Sequence, residues 1–243
     1  MQILGHRGRP TDDTPENTLA AVEAALVAGS DGVEVDVRLT ADGVPVCCHD
    51  PGLERVAGVA RGVRSLTFAQ LGAIRVDGHP VPSVAEVLDL VAGRGRLVLD
   101  LKPEQRPLSL VRALAETLAA TGRDPRSSLV LSSAESAILD ACAGLLPGVD
   151  RALILSGDDP TSQGLGQALR RADAALHLHV RTVFGAPDIV RSAHERGLQV
   201  RAWTVNRSVD ARLLRLLGVD GVITDVPGLL RRELARETVG LTA

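Results

Sequence analysis

Short apolar runs separated by longer amphipathic stretches recur along the whole chain. Eight of the short runs read as strands: 2–4 (QIL), 32–37 (GVEVDV), 96–101 (RLVLDL), 128–133 (SLVLSS), 151–155 (RALIL), 174–180 (AALHLHV), 198–205 (LQVRAWTV) and 220–224 (DGVIT). Helical patterns follow near 16–29, 83–93, 108–121, 134–146, 163–172, 187–196, 208–217 and 227–237. Strands alternating with helices predict a parallel sheet, and eight such units in 243 residues predict a closed (β/α)8 TIM barrel. A doubly wound open sheet is the alternative, but no Gly-rich dinucleotide fingerprint follows the first strand to favour it. Residues 44–82 break the rhythm. VPVCCHD reads as a short extra strand, and the segment after it as an insertion on the upper rim of a single domain spanning 1–243.

Polar residues inside the apolar runs change the picture from fold to chemistry. Strand side chains alternate between faces, so Val33, Val35 and Val37 share one face and Glu34 and Asp36 the other. Helices cover the outside of a barrel, so the valines face outward and both carboxylates point into the lumen. They lie at the C-terminal end of the strand, where barrel active sites are built. On the third strand Leu97, Leu99 and Leu101 face out, and Asp100 and Lys102 face in. Three carboxylates crowded together are costly unless something neutralises them. A hard divalent cation with oxygen ligands would do so; a closed ion-pair network with Lys102 and Arg7 is the structural alternative. His6 ends the first strand and His49 ends the extra one, both beside the carboxylates. An imidazole at each place is suited to general acid–base work. His177 and His179 could point inward on the sixth strand; with His79 and His194 they read as structural. Thr14-Pro15-Glu16 reads as an N-cap, a first-position proline and an acidic first turn, which leaves His6-Arg7-Gly8 unexplained.

Composition narrows the partners. There are three aromatic residues, Phe68, Phe184 and Trp203, too few for a platform that stacks single-stranded nucleic acid. The net charge is −3 with arginines dispersed, so no basic stripe suits a duplex. Lys102 is the chain's one lysine among 27 basic residues. No apolar run approaches the ~18 residues of a membrane span. The start carries no secretory signal pattern, and three cysteines, Cys47, Cys48 and Cys142, read as reduced thiols. Both point to the cytoplasm.

Taken in order, His-Arg-Gly at 6–8, Pro-Glu-Asn-Thr at 15–18, Glu-x-Asp at 34–36, His-Asp at 49–50, Asp-Leu-Lys at 100–102, Trp-Thr-Val-Asn at 203–206 and Asp-Gly-Val-Ile-Thr-Asp-x-Pro at 220–227 resemble the glycerophosphodiester phosphodiesterase family. The resemblance runs from about residue 3 to 230. It implies a barrel of the phospholipase C-like phosphodiesterase type acting on a small phosphodiester. His6 and His49 would be the acid/base pair, and one divalent ion, Mg²⁺ or Ca²⁺, would be held by Glu34, Asp36 and Asp100. Arg7 and Lys102 would bind phosphate, Glu16 would orient Arg7, and Trp203 would line the pocket. The family usually carries Glu where this chain has Asp100, one methylene shorter. Two other readings stand beside hydrolysis of glycerophosphodiesters to glycerol 3-phosphate and an alcohol. One is a lysophospholipase D-like enzyme whose apolar groove would use Leu53, Val56, Val59, Val63 and Leu66. The other is a barrel that binds phosphodiesters without turnover.

Overall fold

In the computed structural model, residues 1–103, 106–122, 124, 128–155, 166, 168, 170 and 173–240 are described. The strands are β1 (Gln2–His6), β2 (Gly32–Leu39), β3 (Pro45–Cys47), β4 (Gly52–Leu53), β5 (Val59–Gly62), β6 (Arg75–Val76), β7 (His79–Pro80), β8 (Arg96–Leu101), β9 (Leu129–Ser133), β10 (Asp150–Leu155), β11 (Ala175–His179), β12 (Gln199–Trp203) and β13 (Gly221–Thr224). Eight of them pair in parallel in the order β1-β13-β12-β11-β10-β9-β8-β2, and β2 pairs back to β1. The sheet is therefore closed, and the chain is a (β/α)8 barrel. All eight strands fall where the apolar runs predict them.

The period-two reading decides what faces where. Val33, Val35, Val37, Leu97, Leu99 and Leu101 pack with Val84, Val87, Leu110, Val111 and Leu114 of the covering helices in one buried layer. Each such side chain removed from water stabilises the fold by about 1.5–3 kcal/mol. The lumen is plugged by Leu4, Val98, Val130, Ala152, Ala175 and Ile223. Polar side chains one step nearer the C-terminal ends sit on that plug. Register completes the arrangement: His6 lies beside Glu34, and Asp36 beside Asp100, as direct cross-strand partners.

The expected insertion is present, and β3 is its first strand. It runs antiparallel to β2, with Val37 opposite Cys47, so the chain doubles back over the barrel mouth. The rest folds around a satellite core of Val46, Cys48, Leu53, Val63, Leu66, Leu71, Val76 and Val81. Leu53, Val63 and Leu66 are thus fully buried, and Val56 and Val59 pack against them. The apolar groove these residues were expected to offer a lipid is not formed by them, because they hold the insertion together instead. Cys47, Cys48 and Cys142 are free and buried.

Helix boundaries differ from the periodicity at one telling place. The first helix is Leu19–Val27, capped by Thr18, whose Oγ1 accepts from the Ala21 N–H at 3.2 Å. The expected start at 16 with Thr14 as cap is wrong, because Pro15-Glu16-Asn17 is a turn with Asn17 at φ 60. An extra helix, Val180–Gly185, precedes Asp188–His194. The helix expected over 163–172 lies largely outside the described residues. Among the described residues no helix is long and apolar enough to cross a membrane.

Candidate active site

The first loop is shaped by close approach. Gly8 has φ 86, and a Cβ there would lie 2.4 Å from the Ala21 carbonyl carbon, so only glycine lets the loop press against the first helix. Arg7 is itself left-handed at φ 54, an uncommon state for a non-glycine residue. Two bonds hold it there: its N–H donates to Glu34 Oε2 at 3.0 Å, and its carbonyl accepts from the Asn17 N–H at 3.0 Å. That backbone aims the guanidinium across the barrel mouth, where Nη1 donates to Glu16 Oε1 at 2.9 Å and Nε lies 3.2 Å from Asp36 Oδ2.

Glu34, Asp36 and Asp100 each place a carboxylate oxygen within 4.8 Å of the other two. Asp100 reaches the cluster although its side chain is a methylene shorter than the family's usual Glu. Lys102 Nζ sits between two of them, 2.7 Å from Asp36 Oδ1 and 2.6 Å from Asp100 Oδ2. Burial pushes the Glu34 carboxyl up to about 8, with the nearby Asp36 charge adding to it. Burial also raises Asp100 despite Lys102. Burial would raise Asp36 as well, but Lys102, Arg7 and Asn17 hold it below the usual carboxylate range. The ion-pair network considered as an alternative is therefore real, yet incomplete. Two permanent cations face three carboxylates, and among the described residues no salt bridge reaches Glu34, whose carboxyl stays high although the charges of His6 and Lys102 oppose the shift. A divalent ion would let all three carboxylates ionise together, and a cluster of hard oxygen donors fits one.

Each strand-end histidine is backed by a carboxylate. His6 Nδ1 is 2.7 Å from Asp225 Oδ1, and Asn206 Nδ2 donates to Asp225 Oδ2 at 2.6 Å. Burial works against charging His6, but Asp225 and Glu34 outweigh it and raise its pKa. His49 Nδ1 is 2.7 Å from Asp50 Oδ1, and Arg38 Nε and Nη2 donate to the His49 carbonyl at 2.9 and 2.7 Å. A carboxylate accepting at Nδ1 fixes the tautomer and leaves Nε2 for chemistry.

One cavity of about 180 Å³ brings His6, Arg7, Glu34, Asp36, His49, Asp100, Lys102 and Trp203 together. Glu16 stands behind Arg7, outside that lining. The cavity also has an apolar side, lined by Ala134, Ile154 and Trp203, with Ile223 of the plug beneath. Trp203 Nε1 donates to the His177 carbonyl at 3.2 Å, and the indole meets His179 edge-on at 5.3 Å.

Several residues here were passed over in the sequence. Asn17 pins Asp36 at two points: Nδ2 donates to the carboxylate at Oδ2, 2.8 Å away, and Oδ1 accepts from the backbone N–H at 2.9 Å. Asp50, Asp225 and Asn206 sit inside motifs that were noticed, one residue beyond the positions given a role or with no role at all. His177, read as structural, lines the cavity. It is 1% exposed, its Nε2 has no hydrogen-bond partner among the described residues, and burial beside Arg201 keeps it neutral. The inward phase of β11, Ala175-His177-His179, was the available signal. Asn17→Ala is expected to weaken divalent-ion affinity by about 10–100-fold, the usual effect of removing a group that orients a ligand. Calorimetric titration with Mg²⁺ or Ca²⁺ checks it; unchanged affinity would show that Asp36 needs no such support.

Comparison with known proteins agrees in one direction. Residues 6–229 match the glycerophosphoryl diester phosphodiesterase family. A glycerophosphodiester phosphodiesterase of Caldanaerobacter subterraneus subsp. tengcongensis is 27% identical over 94% of this chain and 95% of its own. A phosphodiesterase of Oleispira antarctica, solved in complex with the product sn-glycerol-3-phosphate, superposes with TM-score 0.88 at 27% identity, covering 97% of each chain. The glycerophosphodiester phosphodiesterase of Thermotoga maritima superposes with TM-score 0.80 at 28% identity, covering 96% of this chain and 97% of that one.

Proposed function

The chain belongs to the glycerophosphoryl diester phosphodiesterase family and is a phosphoric diester hydrolase, and on that premise we propose a metal-dependent hydrolysis of small glycerophosphodiesters in which His6 and His49 move the protons. Glycerophosphocholine and glycerophosphoethanolamine are the substrates it fits, with glycerol 3-phosphate and the free alcohol as products. The observation that carries the reading is the pair of carboxylate-backed imidazoles lining one cavity with a three-carboxylate cluster.

Glu34, Asp36 and Asp100 would hold the divalent ion, which supplies charge neutralisation for the phosphoryl oxygens. Arg7 and Lys102 bind the phosphate from the same side, and preorganised cations there stabilise charge as it develops. One histidine takes a proton from the nucleophile at Nε2, and the other gives one to the departing alcohol oxygen. Asp225 and Asp50 accept at Nδ1, which fixes the tautomer of the neutral ring that takes a proton and keeps Nε2 of the charged ring turned to the leaving oxygen. The apolar wall with Trp203 takes the carbon skeleton. A cyclic glycerophosphate seen by phosphorus NMR during turnover would identify the glycerol 2-hydroxyl as nucleophile. The reading places the enzyme in the cytoplasm, supported by three free thiols.

Choline release from glycerophosphocholine and from lysophosphatidylcholine, with and without chelator, tests the reading. Glycerophosphocholine is expected to be the better substrate by at least ~10-fold, since discrimination of a few kcal/mol is what a shaped pocket supplies. Chelation should abolish release, and added Mg²⁺ or Ca²⁺ should restore it. Full activity after exhaustive chelation would sink the metal assignment, and preference for the lysolipid would favour the lysophospholipase D reading.

A further inference from the structure

One side chain of the rim insertion, Arg55, bonds directly to the first loop. Arg55 lies on the short helix Glu54–Ala57, which closes on Gly58 at φ 66. Its Nη1 and Nη2 donate to Glu16 Oε2 at 2.9 Å and Oε1 at 2.7 Å, and its Nε donates to Asp50 Oδ2 at 2.5 Å. Each of these carboxylates has a second contact. Asp50 Oδ1 meets His49 Nδ1, and Glu16 Oε1 accepts from Arg7 Nη1. One guanidinium thus joins His49 to Arg7 through a carboxylate on either side.

We propose that Arg55 is a positioning residue of the phosphodiesterase site, fixing His49 and Arg7 relative to one another by clamping Asp50 and Glu16. The inference rests on the roles given to His49 and Arg7 above. Chemistry favours this over an ordinary surface ion pair. Two carboxylates facing each other repel, so without a cation between them Asp50 is free to turn away from His49 and Glu16 from Arg7. The planar fork meets Glu16 bidentately while Nε serves Asp50, a geometry no ammonium reproduces. Arg55 holds the Asp50 carboxyl down to about 2. Burial works against Glu16, yet hydrogen bonds from Arg55 and the charge of Arg7 keep it below the usual range. The Arg55 side chain is 49% exposed, and ion pairs that open to solvent contribute little to stability. Its worth lies in geometry, so turnover and stability are separable.

Arg55→Met, Arg55→Lys and Asp50→Asn, each alone, and each arginine variant combined with Asp50→Asn, are compared with the parent enzyme and with His49→Ala by glycerophosphocholine turnover and thermal melts. Arg55→Met is expected to lower kcat by about 10–100-fold and raise KM several-fold, with the melting temperature nearly unchanged. Arg55→Lys should keep the melt and recover little of kcat. Asp50→Asn with Arg55→Met should be no worse in kcat than the poorer single variant, the coupling expected of residues acting through one contact. Parent-like kcat in Arg55→Met, full rescue by lysine, or additive losses that follow the melting temperature would each overturn the proposal. A His49→Ala enzyme with full activity would instead remove the premise, which distinguishes the two failures.

Discussion

His6→Ala and His49→Ala are each expected to lower turnover of glycerophosphocholine by about 10²–10⁴-fold, the range of a positioned general acid or base, and both variants should keep the parent's melting temperature to within a few degrees. The separation follows from place. The two imidazoles stand at the barrel mouth with side chains 18% and 36% exposed, so deleting either opens no cavity in the plug or in the outer layer. Asp225 keeps Asn206 when His6 is lost, and Asp50 keeps Arg55 when His49 is lost, so no buried carboxylate is orphaned. Asp225→Asn and Asp50→Asn are informative companions. They preserve shape but let the ring take the wrong tautomer, so they should lose activity without losing either histidine. Steady-state kinetics beside thermal melts measure both quantities. An alanine variant at either histidine with full turnover would remove that residue from the chemistry.

The inward direction of Glu34, Asp36 and Asp100 was legible because it depends on a period of two along a strand and on helices outside, both local facts. The same rule predicted Lys102 beside Asp100, and the structure has its ammonium on two of the three carboxylates. What supports these groups was not legible, because it is non-local. Asp225 meets His6 across 219 residues of chain, at the seam where β13 closes on β1. Arg55 meets Glu16 across 39 residues, through an insertion whose path no periodicity encodes. The error at the first helix has a different origin. Thr14-Pro15-Glu16 satisfies every helix-start preference, yet Glu16 and Asn17 are spent on Arg7 and Asp36, and the helix waits for Thr18. Local propensity lost to the site. The insertion's apolar residues left a groove open as an alternative because composition cannot tell a groove from a small core: Leu53 and Leu66 are fully buried in the latter.

Lys102→Arg is expected to lose at least ~10²-fold in kcat/KM although the charge is kept. Burial disfavours the charged ammonium, but Asp36 and Asp100 more than offset it and raise its pKa. The side chain is 15% exposed and its Nζ bridges oxygens of two different carboxylates at 2.7 and 2.6 Å. A compact ammonium can sit at such a point and turn a third N–H to a phosphoryl oxygen. A planar guanidinium is matched to the paired oxygens of one carboxylate or phosphate, and here it would have to spread Asp36 from Asp100, which belong to the same cluster. Lys102→Ala separates phosphate binding from charge balance. Removing one partner of a buried pair costs about 3–5 kcal/mol, so without a divalent ion this variant should melt well below the parent. Added Mg²⁺ or Ca²⁺ should recover much of the melt by neutralising the same carboxylates, while turnover stays low because the phosphate has lost its ammonium. If ion addition restored turnover together with the melt, Lys102 would be a structural counter-charge only. If Lys102→Arg worked as well as the parent, position 102 would need a positive charge and nothing more.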